Sequence, residues 1–257
     1  QGYMRLGFPL EIADERIDFW RPTKSNYRST LQTSNRTMRT FNPDFYFSWT
    51  TKRIKWRVNM QRNETPNSLT NLVDMSDTND PLYFSFSNLS LKNACQYNAD
   101  VRLDVKCDSI PFTYWGKVEY NATTNNHGSR RWYNSKTGGY VSMTDNVDGN
   151  WNGKASGGLN WQFDKQKRWR LTIDGSLQYV RSVDFALQTV EFDGTPTLEQ
   201  LHALTPSPEL STVNSLNTNL RLMLNYKYKL FTAGLLGRVD GRHSRSNRED
   251  YQDLDAY

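Results

Sequence analysis

Long hydrophobic runs are absent from this sequence of 257 residues, whose mean hydropathy is −0.80. A membrane-spanning helix needs about 20 consecutive apolar residues, and no stretch approaches that length. The absence has no bearing on membrane β-strands, because half of the residues in such strands face water.

Cysteine is nearly absent as well. Cys95 and Cys107 are the only two, and their separation of about twelve strand residues corresponds to roughly 40 Å. They therefore cannot pair within one straight strand.

Catalytic and metal-binding motifs are missing. The three histidines lie in polar connections, and none has a metal-ligand spacing from a cysteine. The sequence contains no Gly-x-Ser-x-Gly elbow, no P-loop and no dinucleotide-binding glycine pattern. We therefore expect a protein without enzymatic activity, metal or cofactor. The histidines are His127, His202 and His243.

Aromatic residues, in contrast, are plentiful. They make up 13% of a chain that is only 36% hydrophobic, and they include 8 Trp and 14 Tyr. This combination is unusual for a soluble core and typical of a membrane β-barrel, in which aromatic girdles lie at the lipid–water interfaces.

Residues 97–107 and 112–122 give the clearest strand signal, because apolar and polar residues alternate along both segments. Strands in soluble proteins are most often about five or six residues long. About 9–11 residues are needed to cross a bilayer as a tilted strand. We therefore predict two membrane strands joined by a short turn at 108–111, with lipid on the apolar side and water on the other.

The same alternation recurs along the chain and predicts nine long strands. Short turns and long polar connections follow one another in strict alternation, as they do in outer-membrane barrels. Aromatic residues crowd the short turns, where a barrel has its periplasmic interface. The short turns are 50–53, 108–111, 164–168 and 227–230, and the long connections are 21–40, 61–93, 123–150 and 184–212, the last with a predicted capped helix at 197–204.

The predicted fold class is all-β, an antiparallel up-and-down transmembrane β-barrel. Nine strands do not close such a barrel, because bacterial single-chain barrels have even strand numbers and an open edge in lipid leaves backbone groups unpaired. We therefore expect residues 1–257 to be a segment of one outer-membrane β-barrel domain. No signal peptide is present at the N-terminus, so we expect the segment to be interior to a longer exported precursor. The alternative is a soluble β-sandwich or β-helix with an aromatic core.

The connection 61–93 and the strand entry 146–151 contain short motifs that resemble the barrel domain of Bacteroidetes TonB-dependent-receptor-like outer-membrane proteins. Ser87, Leu89 and Asn93 stand where that family usually has Gly, Pro and Pro. The matching residues are Pro66, Asp80, Pro81, Leu82, Asn88 and Leu91.

This resemblance implies a barrel of about 22 strands around an N-terminal plug. It also implies import of a nutrient or a metal complex with energy supplied through TonB. Neither the plug nor the remaining strands are part of this sequence.

Basic residues occur singly on different strands, so a net charge of +5 and a pI of about 9.1 do not indicate a nucleic-acid partner. The alternation places them on the water-facing side, interleaved with Asp100, Asp104 and Glu119 in a predicted salt-bridged wall. A cationic lining favours anionic solutes or an acidic plug surface. The predicted lining residues are Arg57, Arg102, Lys117, Arg170, Arg221 and Arg238, of which Arg102, Arg170 and Arg221 are candidate ligand-binding residues.

The segment Arg130-Arg131-Trp132-Tyr133 is the most binding-like part of a predicted loop. It combines guanidinium donors with flat aromatic rings that stack on a ligand. We include Arg130, Arg131, Trp132 and Tyr133 among the candidate ligand-binding residues. The alternative is an ordinary loop with aromatic residues at its tip.

Three functions fit the sequence. The first is active import by a TonB-dependent transporter in the bacterial outer membrane, with lipid, plug and TonB as partners. The second is a structural or assembly barrel that scaffolds surface lipoproteins or a secretion complex. The third is a soluble all-β binding protein.

Overall fold

The computed structural model describes residues 1–22, 29–68, 70, 73, 76–80, 82–107, 111–248 and 254–256. Within these ranges the chain forms seventeen β-strands and one short helix. The strands are β1 Gly2–Gly7, β2 Leu10–Pro22, β3 Ser29–Phe41, β4 Asp44–Thr50, β5 Ile54–Thr65, β6 Asp77–Asp80, β7 Tyr83–Phe86, β8 Ala94–Cys107, β9 Phe112–Thr124, β10 Asn126–Asn134, β11 Tyr140–Val147, β12 Asn150–Trp161, β13 Trp169–Phe185, β14 Leu187–Val190, β15 Leu210–Tyr228, β16 Phe231–Ser246 and β17 Leu254–Ala256, and the helix is α1 Leu198–Leu204.

The main element is a ten-stranded antiparallel sheet with the order β1-β4-β5-β8-β9-β12-β13-β15-β16-β17. Its first nine strands correspond to the nine predicted from alternation, so the prediction of an all-β fold with antiparallel strands is confirmed. The tenth strand, β17, comes from the polar tail. In the part of the chain that the structure describes, the edge strands β1 and β17 do not pair with each other.

Strand register divides this sheet into two chemically distinct faces. Residues directly opposite one another share a face, and Val58, Val101, Val118, Ala155 and Leu177 form one continuous cross-strand row. We call the side that carries this row the apolar face and the other side the polar face. Val118 is 60% exposed, so no other described part of the chain covers the row at this point.

The four predicted long connections contain strands, so the prediction of polar loops there was wrong. Connection 21–40 lies largely in a two-stranded ribbon in which β2 pairs with β3. Segments within 61–93, 123–150 and 184–212 assemble into a second sheet with the order β14-β10-β11-β7-β6. The first predicted strand is also divided, because β1 ends at Gly7 and β2 begins after Pro9, which has no N–H to donate.

The second sheet contains the most deeply buried hydrophobic cluster of the described residues. Trp132 of β10 and Val141 of β11 are fully buried, and Leu201 of α1 packs on them. The predicted helix is confirmed. It begins after the N-cap Thr197, whose side chain and that of Gln200 form a capping box.

One long hairpin runs through both sheets, because β9 and β12 pair in the first sheet and β10 and β11 pair in the second. Asn125 connects β9 to β10, and the residues up to Gly149 connect β11 to β12. Asn125 and Gly149 have φ angles of 51° and 102°. The Asp148 carboxylate accepts a hydrogen bond of 2.6 Å from the backbone N–H of Asn125, and the Asn146 amide donates one of 2.9 Å to the Asn125 carbonyl. Much of the strand-entry motif that carries the family resemblance therefore builds this junction.

The short turns lie at the opposite end of the ten-stranded sheet. Asp164 stabilises one turn by accepting hydrogen bonds of 2.9 Å from the backbone N–H groups of Arg168 and Trp169. The last turn is tighter than predicted, because Tyr228 and Phe231 already pair as strand residues. Of the predicted turn 108–111, only Pro111 lies within the described residues.

We expect Gly158→Ala to destabilise the sheet by about 1–3 kcal/mol. Gly158 lies on the polar face of β12 between Trp115 and Asp174. An added Cβ would lie 2.3 Å from Asp174 Oδ1 and 2.7 Å from Trp115 Nε1, so both side chains must move. Thermal unfolding of the purified protein measures the change.

Gly237→Ala is the matched control, because no atom lies within 4 Å of the position of its added Cβ. We expect its stability to stay within about 0.5 kcal/mol of the wild type. Equal melting temperatures for the two variants would contradict the proposed crowding at Gly158.

Candidate ligand-binding site

Strands β5, β8 and β9 carry the charge-balanced half of the polar face. Arg57 and Arg102 lie directly opposite each other, which by itself is an unfavourable like-charge pair. Asp104 bridges them, at 3.0 Å from Arg57 Nη2 and 2.8 Å from Arg102 Nη2. On the neighbouring strand Lys117 pairs with Glu119 at 2.6 Å. The predicted salt-bridged wall is therefore present in this half of the sheet.

Strands β12, β13, β15 and β16 carry a half of the polar face that is not charge-balanced. A cavity of about 880 Å³ lies there, lined by four cationic side chains and one carboxylate. The charged lining residues are Lys154, Arg221, Arg238, Asp240 and Arg242.

Arg221 and Arg238 are directly opposite each other in this cavity. Asp240 forms an ion pair of 2.6 Å with Arg238 and accepts a hydrogen bond from Asn219. Among the described residues no carboxylate forms an ion pair with Arg221, whose Nη2 instead contacts Met223 Sδ at 3.9 Å. The cavity therefore has a surplus of positive charge around a like-charge pair.

The other two candidates on the polar face lie elsewhere. Arg102 is paired with Asp104, and its Cζ atom lies 4.7 Å from the centroid of the Trp115 ring. Arg102 is four strands away from Arg221 in the sheet. That separation is about 19 Å at the usual distance between strands. Arg170 lines a different cavity near the short turns, of about 320 Å³, together with Lys106. The structure therefore does not bring Arg102, Arg170 and Arg221 into one site.

The four candidates at 130–133 belong to strand β10, so the prediction of a loop there was wrong. Arg130 is buried and donates to the Thr205 carbonyl at 2.9 Å, and Trp132 Nε1 donates to the Thr205 hydroxyl at the same distance. The Arg130 guanidinium also lies over the Trp132 ring, 4.8 Å from its centroid. Both side chains therefore hold the C-terminal end of α1 on the second sheet.

Burial lowers the pKa of Arg130, and the Asp145 carboxylate at 3.9 Å opposes this effect. Of the other two candidates, Arg131 is exposed, whereas Tyr133 is half-buried against Tyr140 with ring centroids 5.1 Å apart. Within this group, Arg131 is the residue most accessible to a ligand.

Three cationic residues of the cavity were not identified from the sequence as ligand-binding candidates. Arg238 was predicted only as a lining residue of the polar face. Lys154 of β12 lies opposite Glu119 of β9, and this register was not visible in the local pattern. Arg242 lies on β16 beyond Val239, where the predicted strand ended. Alternation continued along β16 would have placed Arg242 on the same face as Arg238.

Comparisons with known proteins leave the family open. No family model matches the sequence, and a search of curated proteins finds no match. Among the described residues no helix is long and apolar enough to cross a membrane. In the same ranges no three His, Cys, Asp or Glu side chains are grouped so as to hold a metal ion.

We expect Thr205→Val to destabilise the second sheet. The substitution removes the hydroxyl that accepts from Trp132 and leaves a buried indole N–H without a partner, which costs about 1–3 kcal/mol. Hydrogen–deuterium exchange of the β10 and α1 amides measures the loss. Thr195→Val is the control, because Thr195 is exposed and forms no hydrogen bond among the described residues. Equal exchange in the two variants would contradict the structural role of Thr205.

Proposed function

We propose that this chain is a segment of an outer-membrane β-barrel of the TonB-dependent receptor type, which imports a nutrient or a metal complex. Its apolar face contacts lipid and its polar face lines the lumen around a plug. The family resemblance of the connection motifs supports the transport part of this proposal. The physical support comes from the aromatic residues of the apolar face.

One aromatic band follows the short-turn end of the sheet. Successive rings contact one another across the strands, with centroid distances of 5.5 Å for Trp161–Phe163, 6.2 Å for Phe163–Trp169 and 4.7 Å for Trp169–Tyr226. The Phe231 ring continues this row of aromatic rings, with its centroid 6.5 Å from that of Tyr226. This band supports the proposal of a periplasmic aromatic girdle at the short-turn end.

A second aromatic band lies towards the other end of the same face. Trp151 contacts Tyr120 at 6.0 Å and Tyr179 at 5.1 Å. On β13 the two bands are represented by Trp169 and Tyr179, which are about 33 Å apart at the standard rise per residue. At a strand tilt of about 40° this becomes a height of about 25 Å, the height of the apolar band of outer-membrane barrels. This spacing is the observation that carries the proposal.

Between the two bands the apolar face is exposed and lacks charge. Leu220 is 51% exposed and Leu235 is 67% exposed, although both lie in the middle of long strands. Soluble monomers rarely expose apolar patches larger than a few hundred Å². Lipid is the environment in which such a face is favourable.

The membrane part is tested with two neighbouring residues that lie on opposite faces of β9. In a background with Cys95→Ser and Cys107→Ser, we introduce either Lys117→Cys or Val118→Cys and treat intact cells that produce the protein with a small water-soluble maleimide. We expect residue 117 to be labelled and residue 118 to be protected by lipid, even though Val118 is 60% exposed in the isolated chain. Both positions should react after unfolding in urea.

Labelling of residue 118 in the native membrane at the rate of residue 117 would overturn the proposal. Because the two residues are adjacent, general damage to β9 affects both and does not imitate the expected difference. If the protein were surrounded by water, residue 118 should react faster than residue 117, because Val118 is 60% exposed and the Lys117 side chain only 27%. The order of labelling expected in the membrane is the reverse.

A structural barrel that scaffolds surface lipoproteins is the second candidate. The packed second sheet favours it, because the long connections present a folded surface for a partner. Uptake of labelled nutrients in cells with and without TonB separates the two functions. Import predicts at least one solute whose uptake needs both this protein and TonB. A scaffold predicts no such solute and a lipoprotein that co-purifies in a fixed ratio.

A further inference from the structure

We infer that the short-turn end of the ten-stranded sheet binds the phosphate group of an anionic phospholipid, at a site formed by Arg168, Tyr228 and Lys229. The inference deepens the proposed function by naming a lipid partner, and it rests on that function in taking the apolar face as the lipid-facing surface. The charge of the short turns, the position of two cations beside Tyr228 and an exposed apolar tip support it.

The short turns are strongly basic, whereas the long connections are not. The four predicted short turns, seventeen residues in all, contain seven Lys or Arg and two Asp. The four predicted long connections, 110 residues in all, contain ten Lys or Arg and eleven Asp or Glu. Of the two acids in the turns, Asp164 accepts hydrogen bonds from the backbone N–H groups of Arg168 and Trp169, and Asp108 lies outside the described residues. Positive charge is therefore concentrated at one end of the sheet.

Tyr228 holds two of these cations at the edge of the apolar face. It lies two residues after Tyr226 of the aromatic band, and therefore on the same side of β15. The Arg168 guanidinium lies over the Tyr228 ring, 4.3 Å from its centroid, and Lys229 Nζ lies 5.6 Å from the same centroid. Among the described residues no carboxylate forms an ion pair with Arg168 or Lys229. The two cations therefore keep their charge and their donors for a bound anion.

The height of this pair matches the phosphate layer of a bilayer. Two residues of a strand rise about 7 Å, so at a tilt of about 40° Tyr228 lies about 5 Å beyond the aromatic band. The headgroup region adds about 5–7 Å on each side of the hydrocarbon core. A guanidinium and an ammonium at this level meet lipid phosphates, to which both groups donate charge-assisted hydrogen bonds.

Apolar side chains accompany the two cations at the same turn. Leu230 is fully exposed and Phe231 is 61% exposed, and both directly follow Lys229. A combination of basic and apolar side chains is typical of segments in the membrane interface, where the apolar atoms enter the hydrocarbon boundary and the charges stay with the headgroups. The tip therefore favours a phospholipid over a soluble phosphate compound.

Lysine is also present in this region where the backbone favours glycine. Lys167 and Lys229 have φ angles of 55° and 49°, a left-handed conformation that is unfavourable for residues with a Cβ. Neither ammonium group forms a hydrogen bond or an ion pair among the described residues. Neither the backbone nor a polar contact within the described chain accounts for the two charges, whereas a layer of lipid phosphates does.

The experiment measures lipid selectivity in phosphatidylcholine bilayers that contain the reconstituted protein. Spin-labelled phosphatidylglycerol or spin-labelled phosphatidylcholine is added at low ionic strength, and electron paramagnetic resonance gives the fraction of each lipid that the protein immobilises. We expect the association constant for phosphatidylglycerol to be about fivefold higher, which is what one basic residue contributes at an anionic surface. High salt should remove the difference. Inorganic phosphate at matched ionic strength should not compete, because it lacks the acyl chains.

The variants separate lipid binding from folding. Arg168→Gln combined with Lys229→Gln should lower the ratio of the two association constants about twofold or more, because both charges beside Tyr228 are lost. Lys92→Gln combined with Lys136→Gln removes two charges from exposed residues of the long connections and should leave the ratio unchanged. Lys229→Gly removes one charge and relieves the left-handed backbone, so it should lower the ratio without lowering the melting temperature.

Equal association of the two lipids with the wild type overturns the inference and favours an acidic protein as the partner of the basic turns. An unchanged ratio in the Arg168 and Lys229 double variant, or displacement of the lipid by inorganic phosphate, overturns it equally. The cysteine labelling of residues 117 and 118 is a separate measurement. Protection of residue 118 with equal association of the two lipids would reject this inference alone, whereas labelling of residue 118 would reject the proposed membrane function.

Discussion

Cross-strand register is the constraint on which the rest of this structure depends. From β5 to β16 every apolar residue of the central rows meets another apolar or small residue on the adjacent strand. A slip of one residue between any two strands would turn a charged row towards the apolar face. The period of two along each strand is therefore maintained across the whole sheet, and both the apolar face and the cationic cavity follow from it.

This arrangement separates the two sources of stability in the chain. The ten-stranded sheet is held by its ladder of backbone hydrogen bonds and by pairs of side chains on its two faces, and it buries little apolar area within the chain itself. The second sheet has the packed core instead, with Trp132, Val141 and Leu201 fully buried. An environment outside the chain must therefore cover the apolar face, whereas the second sheet buries hydrophobic side chains in a core of its own.

The sequence predicted the first sheet far better than the second. Strands such as β8 and β9 alternate over their whole length, and short turns such as 164–168 separate them clearly. Strands β10 and β11 have fewer apolar positions, and they pair in parallel with β14 and β7, which are distant in the sequence. Local patterns do not contain such pairings. For the same reason, alternation placed Arg221 and Arg238 on the polar face, but only the register shows that they face each other.

The connection between the sheets has a mechanical consequence. A single residue, Asn125, separates β9 from β10, two residues separate β11 from β12, and Ala186 alone separates β13 from β14. Lids and gates swing on flexible linkers, and none of these three crossings is long enough to serve as one. The second sheet is therefore a fixed collar at that end of the ten-stranded sheet, and it moves only as the long strands themselves move.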